Sequence, residues 1–188
     1  MYLPNDQSKL FCLECVAEVD ENKESSIFPF LEQLVRQHGI VNVYKACDSI
    51  ESFEESLNIL LYEDRSFQDY DLLYFICQGN GEDIMIDGYI YSLGEIAELF
   101  EGKLKGKILH FSNSKDLNLD SETAQYFLDV TGAKAVSGYM ETNSFSSAAL
   151  DMQYFGLYQD LPDVRDLVET LFEKHYALCT RLGFHLYY

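Results

Sequence analysis

Apolar positions recur along the chain with two alternating periods. Leu10–Val19 is an unbroken strand-like run. Ile27, Phe30, Leu31, Leu34, Val35 and His38 then follow at helical spacing, with Pro29 in the first turn and Gly39 as the stop. Ile40–Ala46 predicts a second strand, and Asp48-Ser49 opens a helix with Ile50, Phe53, Leu57, Leu60 and Leu61 on one face. Asp71–Cys77 contains the apolar run Leu-Leu-Tyr-Phe-Ile-Cys, the signature of a strand buried on both faces. A hairpin follows: Ile84–Ile86 and Tyr89–Tyr91 flank Asp87-Gly88, which suits a type I′ turn. Ser92-x-x-Glu95 is a capping box for a helix over 93–100.

The second half repeats the alternation. Lys107–Phe111 predicts a fourth main strand, Ser121–Val130 a helix stopped by Gly132, and Ala133–Tyr139 a fifth strand. Phe145, Ala148, Ala149, Met152 and Phe155 mark another helix. Pro162 opens a last long one, which Gly183 stops before an edge-strand-like tail over 184–188. Strand–helix alternation of this kind predicts a single α/β domain over 1–188, a three-layer sandwich around a mostly parallel sheet. Right-handed crossovers then place the main strands in the order second, first, third, fourth, fifth.

Sites in such sheets lie beyond the carboxyl ends of the strands. Two ends carry polar residues here. Gln78, Gly79, Asn80, Glu82 and Asp83 follow the third strand, and Ser112, Asn113 and Ser114 follow the fourth. Neighbouring strands are about 4.8 Å apart, so the two loops share one cleft if those strands pair.

Charge narrows the partners. Thirteen basic residues against 32 acidic ones give a formal charge of −19. Such a surface repels nucleic-acid backbones and anionic lipid, and steers encounter with basic proteins or peptides. No segment has the roughly 20 apolar residues of a membrane span, and residues 1–6 lack the basic and apolar regions of a signal peptide. Five cysteines, an odd number set mostly in apolar runs, read as reduced buried thiols in a cytoplasmic protein. Cys12 and Cys15 would point to opposite faces of one strand, so no metal site is expected of them. Gly79-x-Gly81 comes too late for a dinucleotide fingerprint and no Walker-type lysine is present, so no cofactor is expected. Among the four histidines, His110 reads as a core residue, with a Cys77–His110 pair across neighbouring strands as the catalytic alternative. His38 suits a helix C-terminus.

One stretch adds a resemblance. A hydrophobic strand ending in a polar turn at Gln78-Gly79 is followed by a hairpin, a helix and the strand ending in Ser112-Asn113-Ser114. Then come Gly-Ala-Lys-Ala-Val-Ser-Gly-Tyr (132–139) and a helix rich in Phe and Tyr. From Asp71 to Tyr158 this resembles the caspase-like fold, specifically CHAT-type peptidases related to caspases and separase. The resemblance implies a general-base histidine at position 78 and a nucleophilic cysteine at 114. Gln78 and Ser114 stand there instead. A carboxamide has no titratable lone pair, and a serine without a base is a poor nucleophile. The expectation is therefore a pseudoenzyme that keeps the peptide cleft and acts as an interaction or regulatory module. An active serine- or cysteine-type peptidase with a non-standard arrangement is the alternative. A receiver-like or flavodoxin-like module is a third reading, but a receiver needs a phosphorylatable Asp where this chain has Cys77-Gln78.

Overall fold

The computed structural model describes residues 8–20, 22–81, 83–113, 119–141 and 144–188. The chain runs β1 (Lys9–Cys15), α1 (Phe28–His38), β2 (Val41–Cys47), α2 (Ile50–Asn58), β3 (Tyr70–Asn80), β4 (Asp83–Ile86), β5 (Tyr89–Ser92) and α3 (Leu93–Leu99). It continues β6 (Ile108–Asn113), α4 (Ser121–Thr131), β7 (Ala135–Tyr139), α5 (Ser144–Asp160), α6 (Val164–Leu182) and β8 (Phe184–Tyr187). The sheet order is β2-β1-β3-β6-β7-β8. The first five are parallel, and β8 closes the far edge antiparallel to β7. The expected order of the five main strands is the observed one, and the tail is the extra edge strand.

The sheet's pleat sorts side chains into two cores. Phe11, Leu13, Leu73, Phe75, Leu109 and Phe111 face one side and pack on α2, α3 and α4 through Phe53, Ile96 and Phe127. Leu10, Leu72, Tyr74, Ile108 and Tyr139 face the other and pack on α1, α5 and α6 through Leu34, Phe155 and Leu171. Each such side chain contributes about 1.5–3 kcal/mol by leaving water. This is the three-layer arrangement.

Local chemistry sets the element ends. Ser49 and Ser92 both cap their helices reciprocally with the residue at the third helical position, Ser52 and Glu95. Asp120 and Asp163 cap α4 and α6 by accepting backbone N–H bonds. At the β4–β5 turn Asp87 and Gly88 have φ of 48° and 76°, the two positive values of a type I′ turn. Lys107, 4% exposed, donates from Nζ to the carbonyls of Phe67 (2.8 Å) and Tyr70 (2.6 Å). It thereby ties the start of β6 to the 3-10 turn that leads into β3.

Several boundaries differ from expectation: β6 runs on to Asn113, β7 begins only at Ala135, and three others have a local cause. β1 stops at Cys15, not Val19, because its neighbour β2 ends at Cys47 and supplies no further ladder; the Val16 amide makes the last bond, to the Cys47 carbonyl. β3 runs three residues past Cys77, because Gln78, Gly79 and Asn80 pair with Met85, Ile84 and Asp83 of β4. The helix begun at Ile50 widens into a π-turn over Ile59–Glu63.

Candidate functional site at the carboxyl edge of the sheet

β3 and β6 are adjacent and parallel, with Ile76 opposite Ser112 and Cys77 opposite Asn113. The two polar strand ends therefore do lie side by side. Gln78 is half-buried and, by the pleat, continues the face of Tyr74 and Ile76. Ser112, 8% exposed, belongs to that same face, in register with Ile76. Gln78, Gly79, Asn80 and Asp83 are gathered in the short β3–β4 ladder. Glu82 and Ser114 lie outside the described residues, and for Asn80 and Asn113 the described part is the backbone. Asp87 is a turn residue.

The catalytic alternative through Cys77 and His110 is not formed. His110 stands opposite Tyr74, and Cys77 is three residues further along β3, so the two side chains leave opposite faces of the sheet. Cys77 joins the core of Phe75 and Phe111, whereas His110 lies among Tyr74, Tyr139, Tyr154 and Phe155.

His110 is the centre of a buried polar network. Its Nε2 is 2.8 Å from Asp151 Oδ1, and its Nδ1 is 2.8 Å from Ser137 Oγ. Tyr74 donates to Asp151 Oδ2 at 2.7 Å, Tyr139 donates to Asp151 Oδ1, and Ser137 Oγ is 3.2 Å from the Tyr154 hydroxyl. Both ring nitrogens are thereby paired: Nε2 with the Asp151 carboxylate, and Nδ1 with Ser137 Oγ, which in turn meets the Tyr154 hydroxyl. Burial, then the Asp151 charge, pushes the Tyr74 and Tyr139 phenols well above their ordinary range. Ser137, His110 and Asp151 are of the types found in a hydrolase triad. Here the imidazole is inverted, with serine on Nδ1 and aspartate on Nε2, and all three side chains are 0% exposed. No substrate carbonyl reaches Ser137, so the network locks α5 to the sheet. Sequence reasoning placed His110 in the core but passed over Asp151. Its signal is a carboxylate between Leu150 and Met152, on an inward position of an apolar helix.

On the opposite face of the same sheet edge stands a row of thiols. Cys47 and Cys15 are in register on β2 and β1, and Cys77 is the next rung on β3 after the Glu14–Ile76 pair. Cys15 Sγ lies 2.6 Å from Cys77 Sγ, and the Cys47 thiol donates to Cys15 Sγ at 3.7 Å. All five cysteines are free. The Cys47 thiol is raised, first by its hydrogen bond with Cys15 and then by burial. At Cys15 the bond from Cys47 pulls the thiol down, but the Cys77 contact and burial together raise it. Cys12, on the other face, is raised by burial. Among the described residues no group of three or more His, Cys, Asp or Glu side chains is arranged to hold a metal ion.

Elsewhere, a groove of about 400 Å³ lies between Phe30, Gln33 and Gln37 of α1 and Ala148, Ala149 and Met152 of α5, and contains none of the expected site residues. Among the described residues no helix is long and apolar enough to cross a membrane. No curated protein matches the chain. With its α/β sheet and its polar carboxyl edge, the chain belongs to DUF6642, a family of unknown function, which it matches over residues 7–188.

Proposed function

We propose that this chain is a non-catalytic α/β module of caspase-like type that binds a protein or peptide with a basic face at the carboxyl edge of its sheet. The observation that carries the reading is Gln78. It stands half-buried where β3 leaves the parallel sheet, one residue beyond the rung that joins β3 to β6. A carboxamide there can hydrogen-bond a ligand but cannot accept a proton from a nucleophile. The nearest histidine on the paired strand, His110, has both ring nitrogens engaged in the core.

The order of elements supports the same reading. Strand, polar exit, hairpin, helix, strand, helix and strand follow one another from β3 to β7 as the resemblance implies. The net charge of −19 favours a basic partner and opposes nucleic acid. The free thiols suit a cytoplasmic setting.

The test has two arms. Partners captured from the native cell by the purified chain should bind more weakly above about 0.15 M salt, where screening acts within about 8 Å. Binding should also weaken on Glu82→Gln and Asp83→Asn together. A partner indifferent to both would remove the reading. In the second arm peptide libraries should show no turnover. Cleavage abolished by Ser114→Ala would establish the active-peptidase alternative instead.

A further inference from the structure

We propose that Cys15, Cys47 and Cys77 form a redox site in which a small hydroperoxide oxidises Cys15, and Cys77 closes on it as a disulfide between β1 and β3. Three observations lead there. The thiols occupy one rung across three adjacent parallel strands, β2, β1 and β3, and point to one face. Cys15 is the member that touches both others, Cys77 at 2.6 Å and Cys47 at 3.7 Å. It is also the partly exposed member, whereas Cys47 is 0% and Cys77 3% exposed. Strands about 4.8 Å apart place the two α-carbons inside the range of about 4.4–6.8 Å that disulfides span. Closure therefore asks for side-chain rotation and not for backbone rearrangement.

The chemistry balances in two steps. Cys15 attacks one oxygen of the hydroperoxide; the O–O bond breaks, leaving Cys15 as a sulfenic acid and releasing water or alcohol. The Cys77 sulfur then attacks the Cys15 sulfur; an S–S bond forms, the S–O bond breaks, and hydroxide leaves as water with the Cys77 proton. Two thiols lose two electrons and the peroxide gains them. Cys47, on the other flank of Cys15, is the reserve partner when Cys77 is missing. Burial and mutual hydrogen bonding raise the Cys15 and Cys47 thiols, so the attack by Cys15 is slow and calls for peroxide in excess over the chain.

The experiment uses the purified full chain alone, so its result does not depend on whether the carboxyl edge binds a peptide. The chain is treated with hydrogen peroxide, unfolded with alkylating agent, and mapped by peptide mass spectrometry. The expected product is one intramolecular cross-link, Cys15–Cys77, reversed by a dithiol, with Cys12 and Cys179 alkylated. Cys15→Ser should lose the cross-link, Cys47→Ser should retain it, and Cys77→Ser should move it to Cys15–Cys47. Chain unfolded in urea before oxidation should give mixed pairings. Absence of the native cross-link, a native mixture like the unfolded one, or a cross-link that survives Cys15→Ser would each overturn the proposal. The wild-type map decides even if a serine variant folds poorly.

Discussion

His110 Nε2 and Asp151 Oδ1 meet at 2.8 Å with both side chains fully buried, joining the fourth parallel strand to the helix that covers it. Removing the carboxylate leaves His110, Tyr74 and Tyr139 without their shared acceptor. Asp151→Ala should therefore cost about 3–5 kcal/mol in denaturant unfolding. Asp151→Asn, which keeps one carbonyl acceptor, should cost less. A loss under about 1 kcal/mol for the alanine variant would mean that the network contributes little to stability.

Acid should loosen the starts of α3 and α4 first. The Glu95 carboxyl is held below its ordinary value by the Ser92 backbone N–H and hydroxyl, and Asp120 by the Thr123 backbone N–H. A depressed carboxylate adds stability above its unfolded pKa of about 4 and loses it as pH falls through the lower folded value. Amide protection factors in the first turns of both helices should fall below about pH 4. In Glu95→Gln the α3 response should flatten. An unchanged α3 profile in that variant would break the link.

The contact between α1 and α5 is tight at one point. A β-carbon on Gly156 would run into the His38 imidazole ring. Gly156→Ala should destabilise by about 1–3 kcal/mol through overpacking. Adding His38→Ala should recover most of that loss, because the ring is what the methyl strikes. Additive costs in the double variant would show that the two positions are independent.

Lys107 offers a different kind of test, since its ammonium bonds to backbone carbonyls with no carboxylate among them. Lys107→Met keeps most of the packing volume and leaves those carbonyls unpaired. The expected loss is about 2–3 kcal/mol, with amide protection falling first at Phe67–Tyr70. Protection lost uniformly across the chain would argue against a local clamp.

Much of the fold was legible because it rests on periodicity. The buried run Asp71–Cys77 and the helix faces around Phe30, Phe53 and Phe127 identify themselves by spacing, and parallel topology follows from their alternation. What periodicity does not carry is register. Cys15, Cys47 and Cys77 are scattered along the sequence, and a one-residue slip of any strand would turn one of them to the opposite face. The same parity separates Cys77 from His110, a pair that strand adjacency alone leaves open. The over-long first strand has a similar cause: Val16–Val19 has strand-like composition, but its neighbour ends. Asp151 was missed because a lone carboxylate in a helix usually faces water, and its three donors come from residues distant in sequence.

β3 belongs to two ladders in succession. It is bonded in parallel between β1 and β6, then turns its last three residues to the antiparallel hairpin. A load applied at the Asp87–Gly88 tip therefore passes down β4 and into the most enclosed strand of the protein. Directed along the axis of β3, such a load meets the rungs on both sides together and does not open them one at a time. The hairpin is in effect a handle fixed to the spine of the sheet, and whatever grips it pulls on the whole domain.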